Sequence, residues 1–568
     1  MDNKVRNNTG LLGKKELIDG FVANQRVLDI ILLELRGTTY NGPLQCYLVI
    51  GEHGIGKTML LWRIKYAIED DLELSNLIVP VIFKEEQYFL GDLETLWNYV
   101  ASQIECFPLP EKKDTAYSVE ILFEKANEES AYYKLEKMLK ERSKKVILFI
   151  ENLDAFFRKI GKNGQQRLRE VLSTSRDIRI IGSATSLFNE VSNYHLPFYE
   201  YLKVIQLKGL NRKEAEHMYA KTIEPSLKSK KEEQIPKRYS ARIEALRRLT
   251  KGNPRLMGYM YQSMQNGSNN GVDDIFLLLD LLTLRYKTEM EQMPYQQQRV
   301  IDYIAGRLDA VAVKDIVHGT GMESKYISSI LSTLRKNKAV DKIETDSKNH
   351  LYRIHDFLFN MWYNLRYGNM ADAAALIRFC EVWIGIKDQD GDTEEAISSE
   401  STIIQFPGLN NLRNLKSANP NGFYKSGEVQ VAIDKELQNI SNQRFDDPYM
   451  AVVYATLIID QGYFECPCHL LTAHEDKIAF VMDGTNEADK QKLVRELISF
   501  FIKLLTKNQY NWAMQLFAKG KETFRVWLRP IYFACLRLLK EEYPTDVLKS
   551  APALDSTIQE ILEEIKRA

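Results

Sequence analysis

One octapeptide constrains this chain more than any other stretch. Gly51-Glu52-His53-Gly54-Ile55-Gly56-Lys57-Thr58 follows the apolar run Cys46 to Ile50 directly and precedes the helical stretch Met59 to Ile68. A strand, a glycine-rich loop and a helix in that order form a phosphate-binding loop. The glycines let the backbone turn its N–H groups inward, and the helix N-terminus adds a favourable dipole. The backbone from Gly51 through Met59 is therefore expected to cradle the phosphates of ATP or ADP. Lys57 reaches the β- and γ-phosphates and Thr58 offers its hydroxyl to Mg2+.

Further apolar runs continue the pattern. Ile78 to Phe83 reads as a buried strand, Leu93 to Ile104 as a helix, and Lys145 to Ile150 as a third strand, an alternation that predicts a parallel α/β sheet. The third strand ends in Glu151-Asn152-Leu153-Asp154, at the sheet edge where nucleotide-hydrolysing proteins keep their acids. Glu151 stands in the metal position, one methylene longer than the usual Asp. Asn152 stands in the base position, with an amide that orients water but cannot take its proton. Asp154 either substitutes as base or caps a helix beginning Ala155-Phe156-Phe157. Slow turnover is expected in both cases. A strand over Ile178 to Thr185 carries Thr185, with Ser183 as second choice, at a place that resembles the sensor position of AAA+ folds, which implies contact with the γ-phosphate or the attacking water; alternatively both only start the next turn. A strand over Val204 to Leu207 precedes Leu210 to Ala215, where a helical lid begins. Gly252-Asn253-Pro254-Arg255 opens an amphipathic helix over Leu256 to Met264. The motif resembles those in which a lid places its sensor arginine, which implies that Arg255 joins lid to γ-phosphate; otherwise it pairs with a surface acid.

Global charge supplies no second theme. The 568 residues carry 76 Lys and Arg against 77 Asp and Glu, a net charge of −1, so nothing pulls the whole chain toward nucleic acid or an anionic membrane. Met1 to Arg6 has no apolar signal core, no run approaches the ~20 residues that span a bilayer, and the expectation is a soluble, cytoplasmic protein of roughly three to four domains. The six cysteines, Cys46, Cys106, Cys380, Cys466, Cys468 and Cys535, are scattered and read as reduced core thiols. Cys466-Pro467-Cys468-His469 lacks a second ligand pair at zinc spacing.

These motifs resemble prokaryotic AAA+/STAND-type P-loop ATPases related to origin-recognition and archaeal ATPases, which carry a MarR-like winged helix and C-terminal tetratricopeptide-like helices. The matching pieces lie between residues 12 and 370. They are Val79-Pro80-Val81 to Glu85-Glu86-Gln87-Tyr88, Glu151-Asn152-Leu153, Gly182-Ser183-Ala184-Thr185-Ser186, Gly252-Asn253-Pro254-Arg255-Leu256, and Leu351-Tyr352-Arg353-Ile354-His355 to Trp362-Tyr363. One element departs from the pattern: no arginine lies between Ser183 and Lys203, where ring-forming relatives place a finger toward the next subunit. Arg167, Arg169, Arg176 and Arg179 are the substitutes, each read first as a surface residue.

The expected division is a P-loop ATPase core over 1–208, a helical lid over 209–290, a winged helix over 291–367 and an α-helical, tetratricopeptide-like interaction domain over 368–568. In the third part, helices over Tyr295 to Gly306, Val313 to Gly319 and Ser324 to Asn337 precede two wing strands, Ala339 to Glu344 and Leu351 to Ile354. The last of these helices buries Ile327, Ile330, Leu331 and Leu334 and exposes Lys325, Ser328, Ser329, Ser332, Arg335 and Lys336. An acidic break at Asp388 to Glu395 reads as a solvated loop. Helices over Met450 to Gln461, Asp489 to Lys507, Asn511 to Lys519, Leu528 to Glu542 and Asp555 to Ala568 follow without a clean 34-residue period. The function this implies is an ATP-binding, slowly hydrolysing switch that regulates or assembles partner proteins through its C-terminal helices, in bacterial defence (antiviral) or stress signalling. The rival is a DNA-binding ATPase of the loader or transcription-regulator type that uses the winged helix. A third class is a scaffold that holds nucleotide only structurally. Homo-oligomerisation is left open, and no membrane partner is expected.

Overall fold

A computed structural model describes residues 13–38, 45–83, 90–105, 127–223, 237–265, 268, 270–346, 349–368, 370–389, 407–417, 426–519 and 523–567. Cys106, the Glu85-Glu86-Gln87-Tyr88 piece and the acidic break from residue 390 on lie outside these residues. The chain forms two compact units, Met1–Lys230 with Gly252–Tyr261, and Lys231–Lys251 with Gln262–Ala568.

The first unit runs α1 (Lys14–Gly20), α2 (Gln25–Gly37), β1 (Tyr47–Ile50), α3 (Lys57–Asp70), α4 (Leu72–Leu77), β2 (Ile78–Phe83), α5 (Leu93–Glu105), α6 (Glu128–Glu141), β3 (Lys145–Ile150), α7 (Leu153–Thr174), β4 (Ile178–Ala184), α8 (Asn189–Ser192), β5 (Lys203–Gln206) and α9 (Arg212–Ile223). The five strands form one sheet in the order β2-β3-β4-β1-β5, every pair parallel. Helices cover both faces of β1 to β4, whose residues are almost all buried, whereas the edge strand β5 is largely exposed. Alternate residues then feed opposite cores: Leu48, Leu148 and Ile180 pack toward α5, α6 and α7, while Tyr47, Val49, Phe149 and Ile181 pack toward α2 and α3. Pro80 sits mid-strand without harm because β2 is an edge, and only an edge strand can do without a ladder N–H.

The second unit begins with α10 (Lys237–Leu249); α11 (Pro254–Gln265) then lies in the first unit as far as Tyr261 and in the second from Gln262 on. Next come α12 (Gly271–Leu281), α13 (Thr283–Glu291), α14 (Tyr295–Ala305), β6 (Val311–Ala312), α15 (Val313–Thr320), α16 (Ser324–Lys336), β7 (Val340–Ile343), β8 (Leu351–Ile354), α17 (Phe357–Tyr367) and α18 (Met370–Gln389). A small antiparallel sheet has the order β6-β8-β7. Ile327, Ile330, Leu331 and Leu334 of α16 are buried, as their spacing predicts, and the opposite face of the helix is exposed. The two-residue strand β6 is too short to leave a period-2 pattern. Helices over Pro407–Ser417, Ser426–Ser441, Pro448–Asp460, Glu465–Asp483, Glu487–Thr506, Tyr510–Lys519, Thr523–Trp527, Arg529–Leu538 and Asp555–Arg567 complete the unit. The helix expected over Leu528 to Glu542 is shorter at both ends. The chain turns at Leu528 before Pro530 enters the first turn, where a missing N–H costs nothing.

Charges fasten these helices internally. Arg242 of α10 donates from Nε to Asp274 Oδ2 of α12 at 2.7 Å, and Ser263 Oγ donates to Asp274 Oδ1 at 2.8 Å. Arg248 grips Glu560 of the last helix through Nη1 at 2.9 Å and Nη2 at 2.7 Å, and Trp383 Nε1 donates to the same carboxylate at 3.0 Å. Arg378 donates from Nε to Glu487 at 2.5 Å. Cys46, Cys380, Cys466, Cys468 and Cys535 are buried thiols. Cys466 Sγ lies 3.2 Å from the carbonyl oxygen of Leu437, and burial pushes the Cys468 thiol up to about 12. Among the described residues no helix is long and apolar enough to cross a membrane.

Candidate functional site

Sheet order decides which side chains can meet. β4 lies between β1 and β3, with Ile50 opposite Ala184 and Ile150 opposite Gly182, so the carboxyl ends of the three strands finish side by side. The loop after β1, the acids after β3 and the polar residues after β4 thereby share one edge.

The loop has the backbone its glycines were expected to supply. Gly54 has φ 82° and Gly56 φ 103°, both in the left-handed region, and Gly56 is the residue from which α3 starts. A Cβ on Gly51 would stand 2.8 Å from Ile55 Cγ2, so that position admits only glycine without a shift of Ile55. Lys57 is buried inside the loop and donates from Nζ to the carbonyl oxygens of Gly51 at 2.6 Å and Glu52 at 3.0 Å. Glu52 and His53 are exposed, Ile55 is buried, and Met59 is half-buried against the α2–α3 core. Thr58 donates from Oγ1 to Glu151 Oε2 at 2.9 Å, across 93 residues of sequence. These two hard oxygen donors, brought into contact at the end of the loop, are the pair suited to Mg2+.

After β3, the Glu151 N–H is tied to the Phe83 carbonyl oxygen at 3.2 Å. Asn152 adopts φ 51°, ψ 54° and precedes α7 without a side-chain cap bond. Asn is among the few residues that take the left-handed region at low cost, so backbone shape as well as chemistry selects it here. Asp154 corrects an expectation: α7 begins at Leu153, not at Ala155, so Asp154 is inside the first turn and is not the cap. Its carboxylate pairs with Arg158 at 2.9 Å, one helical turn on. Gly182 allows this close start, since a Cβ there would lie 2.5 Å from Leu153 Cδ2. Thr185 lies just past β4 and is exposed, whereas Ser183 is buried within the strand. That difference favours Thr185 of the two.

Gly252-Asn253-Pro254-Arg255 closes on the loop. Asn253 is buried, donates from Nδ2 to the His53 carbonyl oxygen at 2.8 Å, and accepts at Oδ1 from the Arg255 N–H at 3.2 Å. Arg255 N–H also reaches the Gly54 carbonyl oxygen at 3.3 Å, and a Cβ on Gly54 would meet Asn253 Oδ1 at 2.8 Å. Gly252, at φ 67°, is pinned against Leu210, whose oxygen a Cβ would approach to 2.5 Å. Asn253 is the residue that sequence reasoning passed over in favour of Arg255. Its place before a helix-opening proline signals a cap, but nothing local signals the contact with His53, 200 residues away. The Arg255 side chain is exposed, and no acid pairs with it among the described residues.

The finger substitutes separate. Arg167 is held by Glu128 at 3.0 Å and Glu170 at 3.1 Å, Arg169 lies over the Tyr201 ring at 3.6 Å, and Arg176 is exposed. Arg179 is not the surface residue it was read as: it is 1% exposed, within β4. Facing inward from a central strand, it cannot reach a neighbouring subunit.

No family model matches the chain. No curated protein matches it either. Among solved structures it is similar to the Walker-type ATPase of Pyrococcus abyssi, at 16% identity and TM-score 0.41 over 61% of this chain and 96% of that one. It is also similar to the Aeropyrum pernix Orc1 protein in complex with DNA, at 13% and 0.36 over 63% and 93%. A third is Cdc6p from Pyrobaculum aerophilum, at 13% and 0.32 over 62% and 93%. Likenesses this weak say nothing about chemistry.

Proposed function

We propose that this chain is an ATP-binding, slowly hydrolysing switch of the AAA+/STAND type. The observation that carries this reading is the 2.9 Å contact of Thr58 with Glu151 beside a lysine folded into a left-handed glycine loop. The backbone N–H groups from Gly51 to Met59 and the Lys57 ammonium bind the phosphates. Thr58 and Glu151 hold Mg2+, which neutralises phosphate charge when bound. Thr185 stands as sensor at the end of β4, and Arg255 reaches the γ-phosphate from the turn that Asn253 anchors. Asn152 orients water without removing its proton, and Asp154 is occupied by Arg158, so turnover is slow.

In this proposal the lid spans 209–290. Residues 291–367, with the α14-β6-α15-α16-β7-β8 order, are a winged helix acting as a mechanical clamp, and 368–568 form a tetratricopeptide-like surface for protein partners. The role proposed from the family resemblance is a cytoplasmic sensor or regulator in bacterial defence or stress signalling. A DNA-binding ATPase is the second reading, supported by the exposed Lys325, Arg335 and Lys336 on α16.

Calorimetry with ATP tests the first reading. Lys57→Ala should weaken binding about a hundredfold, since it removes the loop's only side-chain cation. Unchanged affinity overturns the site. Hydrolysis measured with and without duplex DNA decides between the readings: strong stimulation favours the DNA-binding ATPase.

A further inference from the structure

Asn253 does more in this structure than open a helix. The residue is 5% exposed, and its side chain works in two directions. Oδ1 accepts from the N–H groups of Arg255 at 3.2 Å and Leu256 at 3.4 Å, which is the ordinary work of an N-cap. Nδ2 donates to the His53 carbonyl oxygen at 2.8 Å, and no cap needs that bond.

The second bond fixes the direction of an amide in the glycine loop. A trans peptide sends its C=O and the N–H of the next residue to opposite sides, and no peptide bond among the described residues is cis. With the His53 oxygen held by Asn253, the Gly54 N–H points away from residues 252–255. One peptide further on, the Gly54 oxygen accepts from the Arg255 N–H at 3.3 Å, and the Ile55 N–H turns back onto the Glu52 oxygen at 3.3 Å. The Gly54 N–H itself meets no acceptor among the described residues, so of these two amides it is the one left for a ligand.

The fit reaches into the composition of both segments. A Cβ on Gly54 would stand 2.8 Å from Asn253 Oδ1 and 2.9 Å from Arg255 Cβ, so this contact as well as φ 82° requires glycine there. On the other side, Gly252 at φ 67° accepts at its carbonyl oxygen from the Leu210 N–H at 2.8 Å. The turn is thus gripped between the glycine loop and the segment that follows β5.

We propose that Asn253 is a positioning residue for phosphate binding: by holding the His53–Gly54 peptide it aims the Gly54 N–H at the phosphates, and the loop has its binding shape only while residues 252–255 are seated on it. The proposal rests on the nucleotide reading above and adds the residue that couples turn to loop. Cap and aim are separable, because one uses the side-chain oxygen and the other the amide N–H.

Asn253→Asp and Asn253→Ser separate them. Both keep an oxygen for the helix, as good cap residues do, but Asp has no donor and Ser is too short to reach His53. Calorimetry with ADP and with ATP on the full-length chain, beside Lys57→Ala, reads affinity, and amide hydrogen exchange without nucleotide reads the backbone. Both variants should bind ADP and ATP about tenfold more weakly and exchange faster across residues 51–56, with the protection of Leu256 to Met264 and the melting temperature held. The positioning role alone falls if the native chain binds nucleotide, Lys57→Ala weakens that binding, and both Asn253 variants bind as the native chain does. It falls equally if the weakening comes with lost protection over Leu256 to Met264, the mark of a cap and nothing more. A native chain that binds neither nucleotide removes the phosphate site and this proposal together.

Discussion

The sheet edge of the first unit and the helix bundle of the second use charged residues in opposite ways. At the edge, the polar groups are brought together by strand ends and remain open to a ligand: Thr58 with Glu151, and Thr185 and Arg255 exposed nearby. In the bundle, charges are buried and serve as fasteners across long stretches of sequence, Arg248 to Glu560 over 312 residues and Arg529 to Asp309 over 220. Parallel strands gather chemistry for a partner outside the chain, whereas a helical bundle with few local constraints on register uses ion pairs to specify which helix meets which. Burial then sets what each residue is worth. A charge at the edge matters to ligand affinity, and one in the bundle matters to folding.

Asp274→Ala gives the largest effect that separates the two. It strands Arg242, whose side chain is 4% exposed, and should cost about 3–5 kcal/mol in denaturant unfolding of the second unit. Replacing the pair together by Arg242→Met and Asp274→Leu should recover most of that. A loss under about 1 kcal/mol for the single change, at the level of exposed pairs, would erase the contrast between fastener and edge.

Asn152 sharpens the comparison from the other side, because there conformation and chemistry pull apart. Asn152→Glu supplies a base but places a longer side chain at φ 51°, at a cost of about 1 kcal/mol. Asn152→Gly keeps the turn and removes the amide. Faster ATP turnover with a lower melting temperature is expected for Glu, and slower turnover with unchanged stability for Gly. Equal turnover in both variants would remove Asn152 from the chemistry.

The smallest effect concerns pH. His355 Nδ1 lies 2.8 Å from Asp341 Oδ1, and this hydrogen bond holds the imidazole above its ordinary range; the Asp341 charge assists and Lys251 opposes. Arg353, 3.7 Å from Asp341, and Asp356 complete the charged surroundings. A raised folded value means the contribution is full below about pH 6.5 and fades as pH climbs through that value. With His355 at 42% exposure, screening keeps it to a fraction of about 1 kcal/mol. Melting curves between about pH 6 and 8 should therefore fall slightly more steeply than those of His355→Gln.

What was legible follows from the same contrast. The strands, the loop and Glu151 were readable because a buried parallel strand is an unbroken apolar run and phosphate binding needs glycine at fixed spacing. The buried face of α16 was readable from its period. Asn253's contact with His53 was not, nor was Arg179's burial, because no local pattern distinguishes an arginine inside a strand from one on its rim. The start of α7 moved by two residues because Asn152 turns the chain in the left-handed region, which propensity reasoning assigns to loops. The helices Met370–Gln389 and Glu465–Asp483 were covered only by the general expectation of helix, being apolar on more than one face.

The placement of Gly252–Tyr261 with the first unit, between segments that belong to the second, has a consequence for biosynthesis. A nascent chain that has emerged only as far as residue 230 lacks Asn253 and the turn that closes on His53. Chains lengthen by about 5–20 residues each second, so for a few seconds the glycine loop exists without the turn that completes it. No single cut between the units can yield the first one whole. A fragment for expression would need residues 252–261 restored through a designed connection, and the native order of synthesis delays a finished loop until residues 252–261 have emerged.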